Sequence, residues 1–104
     1  MSIVRAALVQ TNWTGDKESM IAVHEDYARQ AAAQGTQVIC FQELFYGPYF
    51  CQVQDAKFYE YAESIPGPIT ERFQALAKEL RMVMVLPMYE KEQDGFLYNT
   101  AAVL

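Results

Sequence analysis

Cysteine is scarce in this sequence, its basic residues are dispersed, and it has no long apolar run; each shortage removes a class of function. Cys40 and Cys51 are the only cysteines, and neither sits in a Cys-x-x-Cys pair or close in sequence to the single histidine, His24. A disulfide scaffold and a cysteine-held metal are therefore not expected, and both thiols should be reduced. The eight Lys and Arg form no cluster, Lys78 and Arg81 share a turn with Glu79, and the net charge is −5. Nucleic acid is accordingly not an expected partner. Near the N-terminus the continuous apolar stretch covers only residues 6–9, too short for a signal peptide or a membrane span. No membrane partner and a cytoplasmic location are expected. Five Gly and four Pro are too few for a fibrous or disordered chain, and no stretch has linker composition. With 104 residues, 52% hydrophobic and 20% charged, residues 1–104 are read as one folding unit.

What is present alternates between two periodicities. Residues 3–10 are rich in β-branched and small apolar types, as in a strand covered on both faces. Thr14-Gly15-Asp16 offers a cap, and Met20, Val23, Tyr27, Ala28 and Ala31 mark a helical stripe over residues 17–34, closed by Gly35. Residues 38–41 read as a second buried strand, completing a βαβ unit. The turn-rich Tyr46-Gly47-Pro48-Tyr49 follows, then a possible short helix over residues 55–63. Pro66-Gly67-Pro68 opens a further helix with Ile69, Phe73, Leu76, Ala77 and Leu80 on one face. Residues 82–86 and 96–104 are predicted strands, and Asp94-Gly95 between them is a hairpin signal, which makes that pair antiparallel. Four strands so arranged leave long exposed edges, so the chain reads as the opening portion of a larger α/β protein.

Ligands of open α/β sheets bind beyond the carboxyl ends of the strands, and Phe41-Gln42-Glu43 is where the second strand runs out. Glu43 lies between apolar runs that can desolvate it and strengthen it as a general base. Read from these residues alone, the commoner role for such a carboxylate is to end a strand or pair with a cation.

Three stretches in order, Arg5-Ala6-Ala7-Leu8-Val9-Gln10, Val38-Ile39-Cys40-Phe41-Gln42-Glu43-Leu44-Phe45 and Tyr98-Asn99-Thr100-Ala101, resemble the beginning of a nitrilase-family carbon-nitrogen hydrolase. The resemblance implies an α/β fold, the N-terminal part of an αββα four-layer sandwich, with residues 1–104 as the N-terminal part of a single hydrolase domain. It implies that Glu43 is the general base of a Glu-Lys-Cys triad whose Lys and Cys come later in the chain. Gln42 stands where the family commonly has Pro. The stretch Phe45-Tyr46-Gly47-Pro48-Tyr49-Phe50-Cys51-Gln52 is similar to the N-carbamoyl amine branch, which includes β-ureidopropionase and N-carbamoylputrescine amidase. That likeness implies a small-molecule N-carbamoyl substrate, no metal or organic cofactor, and a homo-oligomer when intact. Without its Lys and Cys the segment alone should be inactive.

The remaining candidates divide between site and packing. Cys40, inside an apolar strand, reads as a small buried hydrophobe, and Cys51, with no cation beside it in sequence, as packing or pocket lining. His24 falls on the apolar stripe and reads as structural. Tyr49 and Asn99 are candidates for the substrate pocket, each with a packing or turn alternative. A non-catalytic α/β binding module is disfavoured by Thr11-Asn12-Trp13-Thr14-Gly15, which has one Gly and no Lys for a phosphate cradle. An interaction protein using residues 46–50 as a contact patch is the other alternative.

Overall fold

The computed structural model describes residues 3–47, 62–93 and 96–104. Six elements follow in chain order: β1 (Ala6–Leu8), α1 (Lys17–Ala33), β2 (Val38–Cys40), α2 (Pro68–Leu80), β3 (Val83–Gln93) and β4 (Phe96–Val103). They form a four-stranded sheet of order β1-β2-β3-β4. The first three strands are parallel and β4 returns antiparallel along β3. The βαβ unit, the second helix and the antiparallel last pair thus match expectation. The Asp94-Gly95 turn, residues 55–61 of the proposed short helix, Tyr49 and Cys51 lie outside the described residues. Glu63, the last residue of that proposed helix, instead forms a parallel bridge with Glu90.

Local chemistry sets the helix ends. The Asp16 carboxylate accepts from the Ser19 amide at 2.8 Å, supplying an acceptor to one of the unpaired N–H groups of the first turn of α1. At the other end Gly35, with φ +85°, takes the left-handed conformation that an L side chain resists. It lets the amides of Gly35 and Thr36 reach back to the carbonyls of Ala32 and Ala31. In α2, Pro68 fills the first turn, where its missing N–H costs nothing, and the Thr70 hydroxyl accepts from the Gly67 amide at 2.7 Å.

Both helices bury their apolar sides on one face of the sheet. From α1 come Met20, Ile21, His24 and Ala28, so the stripe passes through His24 and leaves Tyr27 exposed. From α2 come Ile69, Phe73, Leu76 and Ala77, and the strands answer with Ile39, Met84, Leu86 and Met88. Arg72 of α2 reaches across to Glu18 at 2.8 Å and to Glu25 at 2.7 Å, both on α1. These ion pairs are partly solvated and contribute little beyond orientation, about 1 kcal/mol or less each.

The opposite face is open. Leu8 is 85% exposed, Val103 69% and Val83 42%. The expectation that β1 is covered on both faces is therefore not met in this chain: Ala6 and Leu8 point outward while Ala7 packs on the core. Among the described residues no helix is long and apolar enough to cross a membrane.

Candidate active site

The parallel ladder between β2 and β3 determines where Glu43 goes. Val83 donates to the Gln37 carbonyl at 2.9 Å, and Phe41 donates to the Val85 carbonyl at 3.1 Å. With the β2 register continued past Cys40, residues 39, 41 and 43 should donate in turn to residues 83, 85 and 87, while 83, 85 and 87 donate to 37, 39 and 41. The third donor of that second series is Pro87, which has no N–H. The Phe41 carbonyl receives the Cys40 thiol at 3.4 Å. The ladder breaks there, and the Pro87 carbonyl accepts from Phe45 at 3.3 Å, two residues later than the register calls for.

Glu43 and Leu44 are thereby looped out of the sheet. Leu44 adopts φ +50°, a left-handed conformation that costs a non-glycine residue roughly 1–2 kcal/mol. Its side chain is buried, as are those of Phe41, Phe45 and Tyr46, and this packing holds the turn in place. The Tyr46 hydroxyl adds a lock: it donates to the Tyr89 carbonyl at 2.9 Å and accepts from the Tyr89 amide at 3.2 Å. Burial, only partly offset by the Tyr89 amide that donates to it, pushes its phenol well above the ordinary range, so it remains a neutral hydroxyl.

With its neighbours turned inward, Glu43 faces outward. Its Oε1 accepts from Asn99 Nδ2 at 2.6 Å. Asn99 lies on β4 opposite Tyr89, so β2 supplies the carboxylate, β3 fixes the turn and β4 supplies a donor. The structure therefore brings Glu43 and Asn99 together, while Tyr49 falls outside the described residues. The desolvation expected from the flanking apolar residues is not found in this chain, because those side chains enter the core and leave the carboxylate exposed.

Other groups at this end of the sheet are already engaged. Lys17, in the first turn of α1, pairs with Glu63 and lies 5.2 Å from the Tyr46 ring centroid. Two clefts lie elsewhere. One sits beside the C-terminal end of α2 and includes Lys78, Arg81 and Leu104; the other runs along β1 and α1 and includes Leu8 and Tyr27. Neither includes Glu43 or Asn99. Among the described residues no cluster of His, Cys, Asp and Glu could hold a metal ion. Sequence reasoning missed the contribution of Pro87, whose signal was a proline within a run of strand-forming residues.

In an open α/β sheet ligands bind beyond the carboxyl ends of the strands, and that is where Glu43 and Asn99 meet. The carbon-nitrogen hydrolase family matches residues 5–104, and the chain belongs to that family. It is 37% identical over 98% of its length to N-carbamoylputrescine amidase of Solanum lycopersicum, covering 34% of that protein. It is 35% identical over 99% of its length to the omega-amidase of Homo sapiens, covering 36% of that protein. In three dimensions it is similar to a carbon-nitrogen hydrolase from Helicobacter pylori, with TM-score 0.82, 27% identity, and coverage of 96% of this chain and 35% of the other. The chain spans about a third of the length of the relatives it matches.

Proposed function

We propose that the protein carrying this chain hydrolyses the carbon–nitrogen bond of a small N-carbamoyl amine or N-carbamoyl β-amino acid, with Glu43 as general base of a Glu-Lys-Cys triad. The observation that carries the reading is the looped-out carboxylate, exposed at the sheet's carboxyl edge and gripped through Oε1 by Asn99. The Lys and Cys come from outside the 104 residues. Neither Cys40, whose thiol is turned to the Phe41 carbonyl, nor Lys17, paired with Glu63, fills those places.

In this scheme Glu43 takes the thiol proton, and the thiolate attacks the carbamoyl carbon. The ammonium stabilises the oxyanion, a preorganised charge of the kind that dominates such reactions. Collapse expels ammonia with the proton held on Glu43, and the same carboxylate then activates the water that releases the thiol. Asn99 keeps the carboxylate aimed and lies where substrate would approach; Tyr49 is proposed to line the same pocket.

A simple amide is the second reading, favoured by the near-equal identity to an omega-amidase. The products separate the two: a carbamoyl substrate yields ammonia, carbon dioxide and an amine, whereas an amide yields ammonia and a carboxylate. The general-base reading is tested by Glu43→Gln in the complete protein. Loss of ammonia release by about 100-fold or more is expected, since a positioned base contributes roughly that much. Retained turnover would sink the assignment.

A further inference from the structure

The β1 side of β2 poses a problem that the β3 side does not. Val9 donates to the Cys40 carbonyl at 3.0 Å, and the regular parallel pattern would next send the Thr11 amide to the Gln42 carbonyl. The main chain at Gln42 is already leaving the sheet toward the strained Leu44 turn. The Thr11 amide instead donates to the side-chain oxygen of Gln42, Oε1, at 2.7 Å in a half-buried setting. A flexible side-chain amide thus occupies the place of a main-chain rung.

We propose that Gln42 is a positioning residue for Glu43, its amide oxygen replacing the main-chain acceptor so that β1 stays tied to β2 while the peptide after residue 42 is free to turn. The inference rests on the reading of Glu43 as general base. Three observations converge on it. The replaced rung falls directly before Glu43; on the opposite side of β2 the ladder is also broken at this level, where Phe45 takes the Pro87 carbonyl; and Leu44 needs a left-handed backbone that a peptide pinned on both sides could not reach. A proline at position 42, common in the family this chain resembles, has no side-chain acceptor, so here the tie depends on the glutamine itself.

The tie fixes the turn rather than the chemistry, so its loss should misplace the carboxylate and lower kcat more than it raises KM. The test uses the complete protein and ammonia release from an N-carbamoyl amine, with Glu43→Gln measured alongside. Gln42→Met keeps the length and removes the acceptor. It should lower kcat by about tenfold with KM changed by no more than about twofold, and should speed hydrogen exchange at the Thr11 amide. Gln42→Glu retains an oxygen for that amide and should recover most of the lost kcat. If Gln42→Met does not fold, Gln42→Asn, one methylene too short to span the same gap, carries the same expectations.

Wild-type kcat together with an inactive Glu43→Gln would overturn the positioning role alone. So would a parallel loss of kcat, KM and thermal stability that Gln42→Glu does not reverse, which is the pattern of a merely structural contact. An active Glu43→Gln would remove both the base assignment and this inference.

Discussion

At His24 the ring is fully buried, Nδ1 bonds the Met20 carbonyl at 2.8 Å, and the described environment gives Nε2 no hydrogen-bond partner. The ring stacks edgewise on Phe41 at 4.9 Å and Phe45 at 5.0 Å, the residues that flank the Glu43 turn. Burial holds its pKa below the ordinary 6.5, outweighing the opposite pull of the Met20 carbonyl. The sign follows from linkage: above about pH 6.5 the ring is neutral folded and unfolded, so it adds no pH dependence. As pH falls below that value, the unfolded ring takes a proton before the folded one, and stability declines. Urea unfolding of the wild type between pH 7.5 and 5 should show this decline, and His24→Leu should flatten it. An unchanged slope in the variant would assign the effect to other groups. The placement of His24 among core residues was legible in the sequence as its position on an apolar stripe. The exposure of Glu43 was not, because an apolar flank does not reveal which way a turn will aim the neighbouring side chains.

Among elements, α2 is tied to the turn that follows β2 through one residue in particular. Phe73 is fully buried and meets Phe41 at 5.4 Å and Phe45 at 5.3 Å, so the helix supports the site turn from beneath. Phe73→Ala should cost about 3–5 kcal/mol of stability by chemical denaturation, through lost burial and a residual cavity. Arg72→Ala on the same helix should cost about 1 kcal/mol or less. A Phe73→Ala loss no larger than that would mean the aromatic cluster is looser than described. Helix positions, the βαβ unit and the antiparallel last pair were readable from periodicity, capping residues, Pro66-Gly67-Pro68 and Asp94-Gly95. The length of β3 was not: a strand over residues 82–86 was expected, with the charged residues from Glu90 onward read as a connection, yet it runs to Gln93. A proline ends pairing only on the side where its N–H would have donated, and β4 continues along the other side.

For the whole molecule the decisive contrast is between the two faces of the sheet. One is closed by α1 and α2; the other displays Leu8, Val83 and Val103. The carboxylate stands exposed, without the desolvation that the proposed chemistry needs. The 104-residue chain by itself is therefore expected to release no ammonia from N-carbamoyl-β-alanine or N-carbamoylputrescine, whereas the complete protein should turn over one of them. Hydrolysis by the short chain, measured against a no-protein blank, would contradict the triad.

The pairing of β3 with β4 shifts its register between Lys91 and Gln93 and then places Asn99 opposite Tyr89. Because successive side chains of a strand point to opposite faces, that irregularity works as a ruler. Slide β4 along its neighbour by one position and Asn99 swings to the helix side, leaving the carboxylate without its donor. An insertion or deletion in β4 between its bulge and Asn99 would therefore dismantle the proposed site by miscounting rather than by damage.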